Sequence, residues 1–382
     1  MKKGLKLLKR NKIVSVCYLF LLVPPITGVI NMAIDSVDPW RIGEWLISYP
    51  DAFVRRGLFG EFLQILNLNG KQRILAIAVT QILIYIPLLL FIFANLKKSG
   101  FNNESIALAL GPASVSFLSW DHQAFGRKEG LGIAALVFIA FANEERNRFR
   151  VIALIGGGSL LFLSSLFISE INLAFLPGII YLILKNKKIA STVIKNLASF
   201  SVAVLSITFA LLSITNRGSN KIASDLCNEI QTIGLDSSLC GGSIQALRLG
   251  IGDVIKSNLE LFPLYITYIP LFGWALIPVM SSVWVKDNIK SVLAMTCFIA
   301  PLFILASDYG RWIFMFNIQI VICMFAMENT QNIFSRVRTY RLMLFIVLFS
   351  IPHSNLQLEE IIFGPIQSLI YYSDSAQDIF AK

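Results

Sequence analysis

Apolar side chains make up 55% of the 382 residues and charged ones only 15%, with a mean hydropathy of +0.69. A water-soluble domain carries about 25% charge, so this chain cannot wet its own surface and lipid must be part of its solvent. The net charge of +10 would suggest nucleic acid in a soluble protein, but the basic stretches lack the interleaved aromatics of a strand-binding groove, which excludes that partner. Two histidines and five cysteines with no C-x-x-C pair exclude an ordinary zinc site, and no motif asks for a metal or cofactor.

In chain order, the basic start and apolar run 13–33 have no small-residue cleavage site after them, and read as a retained signal anchor. A helix crosses a bilayer with roughly 20 apolar residues. On that criterion spans are expected at 13–33, 74–95, 104–120, 129–142, 151–169, 171–184, 192–214, 261–284, 291–307, 311–327 and 341–352. The expected fold is an all-α polytopic membrane protein of about eleven transmembrane helices, with ten or twelve as neighbouring counts. It forms a single integral membrane domain over 1–382, with no separate soluble domain. Pro24, Pro25 and Pro112 are placed to kink their helices, which neighbouring helices can tolerate.

Lys and Arg orient the chain. With the N-terminus in the cytoplasm, segments 1–12, 96–103, 143–150, 185–191 (with Lys195), 285–290 and 328–341 carry 20 of the 33 basic residues, the bias expected of cytoplasmic loops. Segments 34–73 and 215–260 are then long outer loops, with a polar outer tail from His353. The second loop holds Cys227 and Cys240, whose spacing suits a structural disulfide in an oxidising compartment. Segments 53–67 and 357–371 have apolar residues at helical spacing and suit the membrane interface.

Charge concentrates at the outer ends of the spans. The first outer loop reads PDAFVRRGLFGE, giving Asp51, Arg55 and Arg56. WDHQAFGRKEGL gives Asp121, His122, Arg127, Lys128 and Glu129 between two apolar segments. Glu170 stands alone between two spans, and ASDYGRWI places Asp308 and Arg311 with almost no loop around them. A charge at mid-membrane costs about 2.5–3.5 kcal/mol, so a paired polar cluster near the outer interface is the economical expectation. Gly57, Gly60, Gly126, Gly130 and Gly310 give the backbone freedom for tight turns there. Guanidinium groups bind phosphate oxygens bidentately with a charge that does not titrate. Each residue also has a plainer reading: Arg55 and Arg56 as snorkelling side chains, Asp308 with Arg311 as an i, i+3 pair, Glu170 as a cap.

Together, FVRRG, FGRKEGL and DYGRW on this many spans resemble the Wzy-type O-antigen polymerase group of polysaccharide enzymes. The resemblance covers the chain as architecture, through short motifs. It implies transfer of a growing glycan from polyprenyl pyrophosphate to a hydroxyl of the next repeat unit, at the periplasmic face of a bacterial inner membrane. Arg55, Arg56, Arg127 and Arg311, with Lys128 in support, would hold the pyrophosphate. Asp121, Glu129, Glu170, Asp308 or His122 would take the acceptor proton, with Asp51 nearby. The implied partners are the bilayer, the polyprenyl-pyrophosphate-linked oligosaccharide, a chain-length regulator and a flippase. The related ligases use a histidine, for which His353 in PHSNL is the comparison.

Two rival expectations remain. A polyprenyl-phosphate-sugar glycosyltransferase would rely on acidic residues of the first outer loop, Asp35 and Asp38. A lipid-linked oligosaccharide flippase would carry ionisable residues deep in many spans and an internal repeat, whereas the charges here gather at one face.

Overall fold

The computed structural model describes residues 22–35, 38–49, 53–121, 124–216, 218–266 and 269–327, together with Ser15, Tyr18 and Ile351. The expected span 341–352 save Ile351, the stretch 357–371, and the side chains of Asp51, His122 and His353 lie outside them. With 78% helix and no strand among the described residues, the chain is all-α. In hydrocarbon a helix satisfies its backbone polar groups within one segment, which suits so apolar a sequence.

Among the described residues, four helices are long and apolar enough to cross a membrane: Gly70–Lys98, Arg148–Ile168, Thr192–Ser213 and Tyr309–Met327. They overlie the expected spans 74–95, 151–169, 192–214 and 311–327. The other expectations, where they fall on described residues, lie on shorter helices, with residues 13–21 of the first span outside them save Ser15 and Tyr18, and proline explains several of the breaks. Expected span 104–120 divides into Asn103–Leu110 and Val115–Trp120. Pro112 offers no N–H and drives the residue before it out of the helical region; Gly111 is extended at φ −63° and ψ 161°. The carbonyls released by this break find side chains. Ser116 Oγ donates to the Leu110 carbonyl at 2.7 Å, and Asn317 Nδ2 to that of Ala113 at 2.7 Å. Likewise 291–307 divides at Pro301 into Ile289–Ile299 and Leu302–Leu305, and 171–184 begins as a 3-10 turn, Glu170–Phe175, before the helix Leu176–Lys185. Expected span 261–284 is made of Ile251–Ile266, Ile269–Met280 and Val283–Asp287.

The described residues gather into two compact units. One comprises those within 29–86 and 126–257, the other those within 1–28, 87–125 and 258–327, with Ile351. In the first unit Glu129–Glu144 packs along Arg148–Ile168 as a helical hairpin. Asn147 caps the second helix, accepting from the backbone N–H of Phe149 and Arg150. Gly158 allows the close approach, because a Cβ there would meet Ile139 Cγ1 at 2.6 Å. Leu176–Lys185 closes against this hairpin and against Thr192–Thr215, burying Phe162, Leu166, Phe175 and Ile179.

The expected outer loop 215–260 is largely ordered secondary structure. Ser219 caps the helix Asn220–Thr232, which buries Ala223, Leu226 and Ile230 on one face, and a disulfide joins Cys227 to Cys240. In the other unit Tyr309–Met327 is buried along nearly its whole length, with Phe314 stacked on Phe117 at 5.1 Å.

Candidate functional site

The RRG motif folds as a tight turn in which the Gly57 N–H reaches the Val54 carbonyl at 3.3 Å. Arg56, the third residue, has φ +73°, a position that turns of this kind reserve for glycine or asparagine. A non-glycine residue there costs of order 1–3 kcal/mol and persists only when its surroundings hold it. The neighbouring glycines are fixed by contact instead. A Cβ on Gly57 would collide with the Tyr49 ring, and one on Gly60 with the Ile47 carbonyl oxygen. The helix Leu58–Ile65 therefore lies flat on segment 46–49, and Glu61 accepts from the Tyr49 N–H at 3.1 Å.

What holds Arg56 in its strained conformation is Glu170, 114 residues away. Arg56 Nε lies 2.9 Å from each Glu170 oxygen and Nη2 lies 2.7 Å from Oε1, while Arg55 Nη1 reaches Oε1 at 3.3 Å. Two guanidiniums thus share one carboxylate. All three side chains stay partly open, at 25%, 18% and 23% exposed for Arg55, Arg56 and Glu170. Burial alone would raise the Glu170 pKa, but Arg56 and then Arg55 overcome it and hold the carboxyl at about 2. A carboxylate so acidic is a poor proton acceptor, and in this fold it pairs with the two arginines.

Lys128 lies beneath the turn, 1% exposed. Its Nζ donates to the Arg56 carbonyl at 3.1 Å and stands 5.7 Å over the Trp45 ring. Trp45 is itself fixed by donating to the Gly126 carbonyl at 3.1 Å. Asn172 Nδ2 binds the Lys128 carbonyl at 3.4 Å and that of Ser165 at 3.0 Å. Burial pulls the ammonium down to about 7, with Glu44 opposing the shift and Arg56 adding to it. The cluster therefore contains a group that changes charge near neutrality.

Arg127 is 5% exposed and turns to segment 38–46. Its Nη1 donates to the Trp40 carbonyl at 3.2 Å, and its Nε lies 3.7 Å from Glu44 Oε1. That separation is an ion pair but too long for a hydrogen bond, and neither atom has a hydrogen-bond partner among the described residues. Glu44, 4% exposed, was not expected from the sequence, where GEWLI looks like an ordinary loop; its one signal is a carboxylate inside an apolar run. Asp38 caps the same loop, accepting from the N–H groups of Trp40 and Arg41 and pairing with Arg41 Nε at 2.7 Å.

A second unexpected element is Glu229, on the disulfide-bonded helix. Its Oε1 pairs with Arg73 Nη1 at 2.7 Å, and its Oε2 accepts from Gln64 Nε2 at 2.5 Å and Ser48 Oγ at 3.3 Å. One carboxylate ties Asn220–Thr232 to three segments that carry or support the RRG turn. The 3-10 turn Ser237–Cys240 also presses on the loop, since a Cβ on Gly43 would lie 2.7 Å from the Leu239 carbonyl oxygen.

Arg55, Arg56, Arg127, Lys128 and Glu170 are thus brought together within one unit. Glu129, 1% exposed, opens the next helix there. Asp308 and Arg311 belong to the other unit. Arg311 Nη1 meets Asp308 Oδ2 at 2.7 Å, and its guanidinium lies 5.1 Å from the Trp312 ring, with 2% of the side chain exposed. Asp121, at the end of Val115–Trp120, is also in that unit. No cluster of His, Cys, Asp or Glu among the described residues suits a metal ion. The chemistry on offer is anion binding by a strained diarginine turn over a buried lysine.

The profile of a family described as uncharacterised membrane protein Rv1490 matches residues 13–247, a segment that contains every residue of this cluster and neither Asp308 nor Arg311. No curated protein and no solved structure matches the chain.

Proposed function

This chain belongs to the Rv1490 membrane-protein family, and we propose that it transfers glycan from a polyprenyl pyrophosphate carrier, polymerising oligosaccharide repeat units of a surface polysaccharide such as O-antigen. The observation that supports this reading is the Arg55–Arg56 pair held together on the carboxylate of Glu170 above Lys128. Fixed cations beside the leaving group stabilise the charge that develops there. In the proposed step the bond from the sugar anomeric carbon to the pyrophosphate oxygen breaks and a bond to the acceptor hydroxyl oxygen forms. The hydroxyl passes its proton to solvent water, and the pyrophosphate leaves with the bonding electron pair and stays on its lipid. Arg55 and Arg56 hold the phosphate oxygens, Lys128 supplies a cation below them, and Glu170 keeps both arginines in place. Because pyrophosphate is a good leaving group, positioning carries more of the rate than a strong base.

The proposal includes the finer topology: about eleven spans, the N-terminus inside, and the arginine turn at the outer face of a bacterial inner membrane. The runner-up donor is a polyprenyl monophosphate sugar, with Glu44 as the acidic residue of the first outer loop. Asp38 suits that role less, because its oxygens accept from the N–H groups of Trp40 and Arg41 and from Arg41 Nε.

The test has two parts. Purified chain mixed with fluorescent undecaprenyl-pyrophosphate-linked repeat unit should yield longer lipid-linked products, and Arg56→Ala should not. In the host, deletion should collapse the lipopolysaccharide ladder to core plus one unit. An unchanged ladder, or products formed equally by Arg56→Ala, would reject the reading.

A further inference from the structure

The helical hairpin of the first unit carries a feature that the proposed chemistry does not use. Between Glu129–Glu144 and Arg148–Ile168 runs a groove of about 490 Å³, lined by Phe138, Ala153, Leu154, Gly157, Gly158 and Leu161, with Glu145 and Arg150 at one end. Its volume falls within the range of about 300–1,000 Å³ usual for small-ligand sites.

The floor is open because of glycine. A Cβ built on Gly157 meets nothing within 4 Å. From Arg150 to Leu161 the groove follows one helix face for roughly 16 Å at 1.5 Å per residue. One leaflet of the hydrocarbon core is about 15 Å thick, so the notch is the length of one leaflet.

One end is charged. Arg146, Arg148 and Arg150 are all exposed where the hairpin turns, and Phe149 beside them is 80% exposed, as an interfacial aromatic would be. The acids there are Glu144 and Glu145. Glu145 Oε1 accepts from the N–H groups of Arg146 and Asn147 at 2.8 and 3.0 Å. Its other oxygen lies 3.8 Å from Arg150 Nη1, beyond hydrogen-bond range, and the Arg150 side chain is 72% exposed. An apolar slot one leaflet long, with Arg150 at its mouth beside Glu145 and two more exposed arginines at the adjoining turn, complements a ligand with one anionic head and one hydrocarbon tail.

We propose that this groove holds an acyl chain of an anionic phospholipid, with the phosphate drawn by Arg146, Arg148 and Arg150. A second copy of the chain fits less well. Two copies inserted in the same sense and packed symmetrically through this face would set like arginine clusters against each other. The inference needs only that the chain is membrane-integral, and stands apart from the glycan reading.

The test uses the full chain purified in detergent and native mass spectrometry with added palmitoyl-oleoyl phosphatidylglycerol or the matching phosphatidylcholine. The expected result is one phosphatidylglycerol kept per chain under conditions that strip phosphatidylcholine. Gly157→Leu should fill the notch, and the double change Arg148→Gln with Arg150→Gln should remove the head contact. Each should lower retention at least about tenfold. The arginine variant alters only exposed side chains, so it decides the matter should Gly157→Leu fail to fold. Equal retention of both lipids, retention of neither, or retention unmoved by the arginine change overturns the proposal. A wild-type dimer that Gly157→Leu dissolves would also overturn it, assigning the groove to a second copy.

Discussion

Arg56 and Arg311 are the same side chain, each within 2.7 Å of a carboxylate oxygen, yet their surroundings differ in three ways. Arg311 meets an aspartate three residues before it, at the start of its own helix, with 2% of its side chain exposed. Such an i, i+3 pair forms from local helical geometry. Arg56 instead takes a left-handed backbone to reach a glutamate 114 residues away, shares that glutamate with Arg55, and keeps 18% of its side chain exposed. Strain, a shared carboxylate and access coincide at the second arginine. An arginine that serves packing has no use for any of the three, which is why the proposed site is centred on the RRG turn.

The largest test of this contrast is on activity. Arg56→Gly should lower glycan transfer by about 10²–10³-fold, the scale for removing one stabilising donor from a developing charge, while the thermal midpoint moves little because glycine relieves the strain of the positive φ at that position. Arg311→Met should act mainly through stability, costing about 1–3 kcal/mol because it breaks the ion-paired hydrogen bond to Asp308; adding Asp308→Asn should recover much of it. Thermal unfolding of the purified chain, read beside product formation, separates the two signatures. If Arg311→Met instead lost activity at an unchanged midpoint, the contrast would break.

Glu229 tests the support beneath the turn. Glu229→Ala leaves Arg73, 8% exposed, without its carboxylate and should cost about 1–3 kcal/mol. Replacing Cys227 and Cys240 together by serine should cost up to about 3 kcal/mol by the loop-entropy scale. Matching losses of activity and stability in both variants would mark the disulfide-bonded helix as scaffold; activity lost alone would move Glu229 into the working site.

The smallest effect is a pH dependence. Burial holds Lys128 at about 7, so its positive charge is present below that pH and lost above it. Affinity for a polyprenyl phosphate should fall several-fold as pH rises from about 6 to 8, and Lys128→Met should flatten the curve over that window. In stability the sign is opposite: Lys128 disfavours the folded state while charged, and this cost fades as pH rises from about 7 toward 10.5. Glu170 contributes stability that is present above pH 4.5 and lost as pH falls toward 2. Acid titration of wild type against Glu170→Gln measures that contribution.

Hydropathy by itself determined that the chain is membrane-integral and helical, and it located the four long apolar helices, because a membrane span is a local property of about 20 consecutive residues. Local charge also singled out FVRRG, GRKE and Glu170 as residues costly to leave in lipid. Short-range chemistry was less legible where proline and side-chain hydrogen bonds compete with the helix, as at Gly111–Pro112, where the sequence suggested one span and the fold has two helices.

Only the tertiary structure decided which charges meet. Arg56 with Glu170, Arg127 with Glu44, and Arg73 with Glu229 are pairs between distant segments, and nothing in the local pattern at either end names its partner. Glu44 and Glu229 were missed for that reason: each looks like an ordinary loop or helix-surface acid until another part of the chain folds against it. A buried charge is tolerated only where the fold brings a counter-charge to it, and that condition depends on the arrangement of segments in space, which composition and periodicity do not encode.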